Sequence, residues 1–322
     1  MDTSTRKLWQ GSATGTWKQS PEDFYVEELW EPENPGKGEH VLLHIEKSGQ
    51  NSDWVARQIA RFAGVRDFDV GLHGLKDRHA VTRQWMSVYL GKRPEPDWEK
   101  LEVEGTRLLL VSRTTKKLRR GEHRGNRFRI VVRDIQGDRE RIEEQLKVIA
   151  AEGFPNYFGP QRFGHDGYNL GQADRWFKGE GKPKKKAQRG LYLSAARSYL
   201  FNRVLEARLV QGNWNQLVDG DEPVNIVSAN PQLEKTVPSG PMLGGAEFLS
   251  GNAGDIEREA VQGYESWLTG LHDEGVRTAR RAMVANADQM SWQWEKDHLE
   301  ISFDLGSGCF ASVLLDQCFD LN

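Results

Sequence analysis

Residues 74–85 place one carboxylate among several cations, directly before a run of alternating apolar residues typical of a β-strand. The carboxylate is Asp77, and the cations around it are Lys76, Arg78, His79 and Arg83. A carboxylate held among that many cations stays ionised at neutral pH and can act as a nucleophile or a general base. The same pattern is also typical of a surface salt-bridge turn, because clusters of charge usually have structural roles.

The composition is that of an ordinary globular protein. The 322 residues are 37% hydrophobic, enough for a buried core and, at roughly 150 residues per domain, for two domains. No run approaches the ~18 apolar residues of a membrane span, and residues 1–5 lack the layout of a signal peptide. We therefore expect a cytoplasmic protein without a membrane span.

The residue types that bind metals do not form a metal-site pattern. Cys309 and Cys318 are too few for a zinc site and too sparse for a disulfide scaffold, so we expect reduced thiols. His40 and His44 are four apart, as metal ligands on a helix would be, but they fall in a strand-like run with no third ligand. The sequence predicts no metal site.

Two basic stretches interrupt a chain whose net charge is -3. The first contains Arg113, Lys116, Lys117, Arg119, Arg120, Arg124, Arg127 and Arg129 against the single acid Glu122. The second, residues 175–189, mixes lysines and arginines with Trp176 and Phe177. Phosphate backbones attract such stretches and exposed aromatic rings stack on unpaired bases, although each stretch alone is also compatible with a solvated loop. Together they favour a focused anionic partner.

Hydrophobic periodicity predicts alternating strands and helices without a repeat. We expect strands around residues 41–45, 86–90 and 128–132, a helix that begins near Asn51 or Ser52 and ends at Gly64, and a helix over 142–149 that ends at Gly153. Asp77 then lies at the entry to a strand. A change of composition predicts a domain boundary at 150–155.

Beyond that boundary, residues 194–211 are predicted to form one helix. The Gly-rich residues 239–245 are predicted to be a loop, and they lack the Lys-Ser/Thr ending of a phosphate loop. Residues 299–303 return to strand alternation, and a short helix is expected after residues 306–308. A strand this late in the chain could rejoin the first sheet, which would make the middle region an insertion.

Four segments resemble the TruD family of tRNA pseudouridine synthases. Residues 74–77 with Ala80, Thr82 and Gln84 are similar to the family signature, whose aspartate is the catalytic residue. Residues 21–27 resemble its amino-terminal segment, residues 125–128 its second core motif, and residues 155–164 a block that is highly characteristic of it. The resemblance runs in the family's order from about Phe24 to Phe310.

The resemblance implies an α+β, V-shaped molecule. A pseudouridine-synthase-like mixed-sheet catalytic domain, residues 1–152 plus 296–322, would be interrupted by a family-specific α/β insertion domain, residues 153–295. It also implies the isomerisation of a uridine to pseudouridine in tRNA, at position 13 in bacterial members, without a metal or other cofactor. We expect a monomer whose partner is tRNA.

The resemblance also implies roles for individual residues. Asp77 would be the catalytic nucleophile or base, and whether it attacks the sugar, attacks the base or removes a proton stays open. A stacked uridine must be extruded to reach it. Lys76 is expected to support the site, Asn126 to bind the uracil edge or position Asp77, and Phe24, Phe128 and Phe310 to hold the ring. Phe128 could instead belong to the core, since it alternates with Ile130.

Other assignments are less specific. Around Phe310 the chain departs from the family pattern, because Asp316 and Gln317 stand where relatives commonly have Arg-Glu. The residues expected at the RNA backbone are Arg119, Arg120, Arg124 and Arg162. His79 is expected to be structural or to contact RNA rather than to act as a base. Two other functions remain open: an RNA-binding protein or tRNA chaperone without turnover, and a hydrolytic N-glycosidase.

Overall fold

The structure, a computed structural model, describes residues 2–32 and 35–321. In chain order the strands are β1 (Ala13–Trp17), β2 (Phe24–Leu29), β3 (His40–Ser48), β4 (Val70–Leu72), β5 (Val81–Tyr89), β6 (Thr106–Thr114), β7 (Gly125–Gln136), β8 (Phe154–Pro155), β9 (Val224–Asn225), β10 (Thr236–Val237), β11 (Ser239–Met242), β12 (Ala279–Ala282), β13 (Val284–Ala285), β14 (Ala287–Trp294), β15 (His298–Gly306) and β16 (Phe319–Leu321). The α-helices are α1 (Ser52–Phe62), α2 (Arg139–Glu152), α3 (Tyr168–Phe177), α4 (Lys186–Val210), α5 (Gly251–Ala260), α6 (Glu265–Asp273) and α7 (Ala311–Leu315). Short 3₁₀ turns cover Pro21–Asp23, Asp67–Asp69, Trp98–Lys100, Pro160–Phe163 and His165–Gly167.

Ten of the strands form one large sheet. Its main path is β14-β15-β7-β2-β5-β3-β6, while β1 pairs with β7 and β16, and β4 pairs with β5. The β2–β5 and β1–β16 pairs are parallel and the other pairs of this sheet are antiparallel. A mixed sheet accompanied by helices confirms the α+β class.

The periodic segments in the first half form the predicted elements. β3, β5 and β7 contain the three predicted strands, and α1 and α2 contain the two predicted helices. The apolar face of α1 packs through Val55 and Ile59 onto Val41 and Leu43 of β3. Gly153 ends α2 with a φ of 87°, a left-handed value that glycine adopts without strain.

The second half departs from prediction in two places. Helix α4 begins at Lys186, earlier than the predicted residue 194, because residues 186–193 contain helix-forming Ala, Gln, Arg and Leu side chains. The loop predicted at 239–245 is wrong for its first four residues, which form β11 and pair with β12. Gly240 permits β11 to pack closely on α4, since a Cβ there would lie 2.7 Å from the Phe201 ring.

The chain rejoins the large sheet late, as predicted. β15 pairs with β7 along its whole length, and β14 adds the next strand. The return begins at Ala287, before the boundary expected at residue 296. One buried apolar cluster extends from Phe128 of β7 through Leu146 of α2 to Leu200 of α4, so the sheet and the α4 region share a core. No helix in the described ranges is long and apolar enough to cross a bilayer.

The pairing of β7 with β15 depends on Gly125, where the two backbones approach closely. A Cβ at this position would overlap the carbonyl group of Leu305. We expect Gly125→Ala to lower the free energy of unfolding by about 1–3 kcal/mol, as overpacking does. Urea denaturation measures this loss.

Gly171 provides the matched control. It lies on the exposed face of α3, and a Cβ there would meet nothing within 4 Å. Gly171→Ala should therefore stabilise the protein by about 0.4–1 kcal/mol. Equal effects of the two substitutions would contradict the role assigned to Gly125.

Candidate active site

The turn that carries Asp77 is fixed through its backbone. It lies between β4 and β5 and packs on the connection between β3 and α1. The amide of Lys76 donates to Oγ of Ser52 (3.0 Å), and Nζ of Lys47 donates to the carbonyl of Asp77 (2.9 Å). Because both partners belong to β3 and α1, which are held by the core, the position of the turn is set by the sheet.

Lys47 is buried and serves as an internal anchor for this turn. Its ammonium group also donates to the carbonyl of Gln50 (2.9 Å), so it joins the two sides of the connection. Burial lowers the pKa of Lys47 to about 8, although the charge of Asp77 acts in the opposite direction. Below that pH Lys47 adds a positive charge beneath Asp77.

The Asp77 carboxylate is held by one cation and one amide. Its Oδ2 accepts from Nζ of Lys18 (2.6 Å), and its Oδ1 accepts from the backbone amide of His79 (3.0 Å). Burial acts to raise the pKa of Asp77, but these hydrogen bonds and the charge of Lys18 outweigh it, and the pKa lies below its ordinary value. The carboxylate is therefore ionised at neutral pH, and about 35% of the side chain is exposed.

Lys18 is a residue that the sequence reasoning missed. It follows β1 with a φ of 55°, and its ammonium lies 4.1 Å from the ring centroid of Phe24. The predicted cations bind elsewhere: Nε of Arg78 donates to the carbonyl of Gly49, and Arg83 pairs with Glu46. The only sequence signal for Lys18 is its position just before the 21–27 motif.

Lys76 connects the turn to two other residues, Glu28 through a buried ion pair and Asn126 through a hydrogen bond. Its ammonium lies 3.0 Å from Oε1 of Glu28 and donates to Oδ1 of Asn126 (2.7 Å). The other oxygen of Glu28 accepts from the amide of Trp85 (3.0 Å) and lies 3.4 Å from Nδ1 of His73. Burial acts to raise the pKa of Glu28, but the bond from His73, the charge of Lys76 and the Trp85 amide together lower it.

These contacts orient the amide of Asn126. Its oxygen is bound by Lys76, and its Nδ2 lies 3.4 Å from Nε2 of His123. Burial and the charge of Lys76 lower the pKa of His123 to about 4 despite the opposing charge of Glu28. His123 is therefore neutral at pH 7 and can accept from Asn126, which leaves the second N–H of the amide for a ligand.

The predicted aromatic residues divide into two groups. The rings of Phe24 and Phe128 are neighbours at 6.1 Å, Phe303 continues the stack at 5.5 Å, and Phe24 and Phe128 are each 7% exposed. Phe310 is less buried and contacts Phe158 at 6.4 Å. Its loop is joined to the site by the pairing of Gly306 with Gly125, the residue before Asn126.

The first basic stretch carries less unpaired positive charge than its sequence suggests. Several of its arginines pair with acids on other segments, namely Arg113 with Glu95, Arg127 with Asp304 and Arg129 with Glu300. Arg119, Arg120 and Arg124 are exposed, and among them Arg120 lies 3.8 Å from Asp53. Among the arginines of this stretch, Arg119 and Arg124 therefore keep the charge that a partner could bind.

The histidines of β3 stack on aromatic rings of β5. His44 lies on Trp85 with a centroid distance of 4.2 Å, and His40 lies 5.1 Å from Tyr89. Across residues 2–32 and 35–321, no group of three or more His, Cys, Asp or Glu side chains is arranged to hold a metal ion.

Comparisons with known proteins point to one family. The family model described as tRNA pseudouridine synthase D (TruD) matches residues 8–171 and 183–318. A tRNA pseudouridine synthase D of Methylococcus capsulatus is 42% identical, over 96% of this chain and 92% of that protein. The one from Hydrogenovibrio crunogenus is 38% identical over 96% and 93%. A crystal structure of a Methanosarcina mazei protein assigned to TruD has a TM-score of 0.68 at 18% identity, covering 98% of this chain and 94% of that chain.

Replacing Lys18 should raise the pKa of Asp77. In Lys18→Met the burial of the carboxylate remains while the ion pair is lost, so the carboxylate titrates at a higher pH. Carbon-detected NMR titration of the Asp77 carboxyl measures the change, and Lys18→Arg, which keeps the charge, is the control. Since the ion pair lowers the folded-state pKa, its stabilisation is present at neutral pH and disappears as the pH falls through that pKa. An unchanged titration in Lys18→Met would refute the pairing.

Removing the buried carboxylate of Glu28 should be costly. Glu28→Gln leaves the Lys76 ammonium buried without a counter-ion, and we expect a loss of about 3–5 kcal/mol in the free energy of unfolding. The double variant Glu28→Gln/Lys76→Met should recover part of this loss, as urea denaturation can show.

The control for that loss is the exposed pair of Glu300 with Arg129, 3.2 Å apart. Glu300→Gln should cost no more than about 1 kcal/mol. A loss of this small size for Glu28→Gln would contradict the anchoring role of the buried pair.

Proposed function

Because the chain belongs to the TruD family of tRNA pseudouridine synthases, isomerases that convert uridine to pseudouridine in tRNA, we propose that position 13 is its target and that Asp77 is its catalytic group. The observation that carries the proposal is the Asp77 carboxylate, ionised by Lys18 and held by a fixed turn. The same turn supplies Lys76, which orients Asn126. One fixed turn thus carries the carboxylate and, through Lys76, also orients the Asn126 amide of β7.

The reaction moves one bond without oxidation or reduction. The N-glycosidic bond of uridine breaks, the freed uracil turns, C5 bonds to the sugar carbon, and the C5 proton is released while N1 gains one. An ionised carboxylate can act as a nucleophile at the sugar or base, or can remove the C5 proton. The low pKa of Asp77 keeps it in the form that all three roles require.

The uridine must leave its stack to reach this turn, so we propose that the enzyme acts on an extruded base. The free N–H of Asn126 would bind a uracil carbonyl, because the contacts with Lys76 and His123 direct the amide. Phe24 and Phe128 would form the floor of the pocket, with only their exposed edges touching the base. Phe310 would close it from the loop that follows β15.

We propose that residues 1–152, together with the C-terminal strands, form the catalytic domain, and that the intervening segment is an insertion domain. Because β14 belongs to the large sheet, the insertion would end near residue 286 rather than at 295. Substrate tRNA would contact the protein through Arg119, Arg120, Arg124 and Arg162. The proposed enzyme is a cytoplasmic monomer that needs no cofactor.

The test uses unmodified tRNA tritiated at uracil C5. Release of tritium with the base retained in the RNA supports the isomerase. Release of free uracil would indicate a hydrolytic N-glycosidase, and binding without either product would indicate an RNA-binding protein. Mapping the modified nucleotide distinguishes position 13 from other sites.

In the same assay Asp77→Asn should lower turnover by about 10⁴-fold, because the amide cannot attack or accept a proton. Affinity for tRNA should stay within a few-fold of wild type. Asp255→Asn, on the exposed face of α5, is the control and should leave turnover unchanged. Substantial residual turnover in Asp77→Asn would remove Asp77 from the catalytic role.

A further inference from the structure

Two arginines share one aromatic ring at the edge of the candidate site. The guanidinium carbon of Arg281 lies 4.1 Å from the ring centroid of Phe158, and that of Arg162 lies 5.6 Å from it. Phe158 is 8% exposed and also contacts Phe310. The two side chains come from β12 and from the 3₁₀ turn at Pro160–Phe163, so the fold brings them together from distant positions.

Both guanidinium groups are held by neutral acceptors. Arg162 donates from Nε to Oγ of Ser198 (3.3 Å) and from Nη2 to Oγ of Ser194. Arg281 donates from Nη2 to Oδ1 of Asn156 (2.6 Å) and to the carbonyl of Gly308 (3.1 Å). These bonds fix the orientation of each guanidinium without cancelling its charge.

Neither arginine has a counter-ion. Within the described ranges no carboxylate lies at ion-pair distance from Arg162 or Arg281, and burial lowers the pKa of both. Two other enclosed arginines are paired with acids, Arg208 with Asp221 at 3.0 Å and Arg280 with Glu257 at 2.6 Å, whereas Arg197 is held by three backbone carbonyls. Two desolvated positive charges close to each other are unfavourable unless a bound anion compensates them.

Each arginine also keeps a donor free. No described residue accepts from Nη1 of Arg162 or of Arg281, and Nε of Arg281 is buried without a partner. A phosphate group offers several oxygens to such planar donors and supplies the missing negative charge.

The pair lies close to Asn126 along the fold. Gly308, which accepts from Arg281, follows β15, whose last residue Gly306 pairs with Gly125. The amide of Ser307 donates to the carbonyl of Arg124 (2.9 Å). A backbone phosphate bound there would lie near a base that contacts Asn126.

We propose that Arg162 and Arg281 together bind one phosphate group of the tRNA backbone beside the extruded uridine. The proposal rests on the proposed function, since that function makes RNA the anion. Sequence reasoning anticipated a backbone contact for Arg162. Arg281 and the joint site on Phe158 emerge only from the structure.

The test uses RNA stem-loops that each carry one uncharged methylphosphonate linkage, at successive positions on both sides of the target uridine. With wild-type protein, one linkage should weaken binding by about tenfold, the size of a charged hydrogen bond. Arg281→Gln and Arg162→Gln should weaken binding of unmodified RNA by a similar factor. Each single variant should lose less further affinity at that linkage than wild type does, because one arginine remains, and the double variant Arg162→Gln/Arg281→Gln should lose none.

Salt dependence and matched variants complete the test. Each arginine variant should reduce the slope of log affinity against log salt by up to about 0.7, the value for one single-strand phosphate. Arg203→Gln, which removes an arginine paired with Glu206 on α4, should change neither the slope nor the linkage profile. Arg281→Lys keeps the charge and should retain the sensitive linkage, and thermal denaturation identifies any variant that fails to fold.

Three outcomes overturn the proposal. The first is that no linkage is sensitive with wild-type protein. The second is that the arginine variants lose as much affinity at the sensitive linkage as wild type does. The third is that millimolar inorganic phosphate fully displaces RNA whether or not the sensitive linkage is charged. Tritium release by wild-type protein is measured in parallel. Turnover without a sensitive linkage would contradict the phosphate site and support the isomerase. A sensitive linkage without turnover would support the phosphate site and contradict the isomerase.

Discussion

The buried carboxylate of Glu28 is the contact on which the arrangement of the site depends. It lies on the inner face of β2, where it joins the amide of Trp85 in β5, the imidazole of His73 and the ammonium of Lys76. A carboxylate is stable in such a place only when several donors surround it. This requirement makes the packing of β2 against β5 and the orientation of Asn126 parts of one network.

Charge is distributed differently at three places in the structure. Around Glu28 the positive and negative groups are enclosed and neutralise each other, which fixes geometry. At Asp77 the pair with Lys18 is partly open to solvent, so the carboxylate is ionised and still accessible. On Phe158 the arginines have no carboxylate at ion-pair distance among the described residues. The molecule therefore contains three arrangements of charge: a closed network at Glu28, a partly open ion pair at Asp77 and two enclosed arginines on Phe158.

Periodicity predicted the elements that bury one regular face. The apolar spacing of β3, β5 and α1 places them on one buried cluster, and that of β7 and α2 places them on another. β11 was not, since Gly240 and Pro241 are typical of loops and the strand exists only through its pairing with β12. The start of α4 was missed because residues 186–190, Lys-Ala-Gln-Arg-Gly, contain no large apolar side chain and include a glycine.

The site was predictable in part for a similar reason. Asp77, Lys76 and Asn126 belong to motifs that can be read locally, and the structure brings Lys76 and Asn126 into contact. Lys18 could not be found, because its contact with Asp77 spans 59 residues and depends on sheet order. Alternation along an extended segment already indicates that Lys76 and Arg78 point away from Asp77, and their side chains bind Asn126 and the carbonyl of Gly49 instead.

The parallel pairing of β1 with β16 has a consequence for the order of events during synthesis. Ala13 lies opposite Phe319, and β15 fills the position beside β7. While the ribosome is still translating the middle of the chain, β1 lacks β16, and β7 lacks β15 and presents an unpaired edge. Such an edge is prone to association with other chains, so we expect nascent forms to need protection until the last strands emerge. Prematurely terminated products would retain the Asp77 turn but expose an open sheet, the kind of surface that quality-control factors recognise.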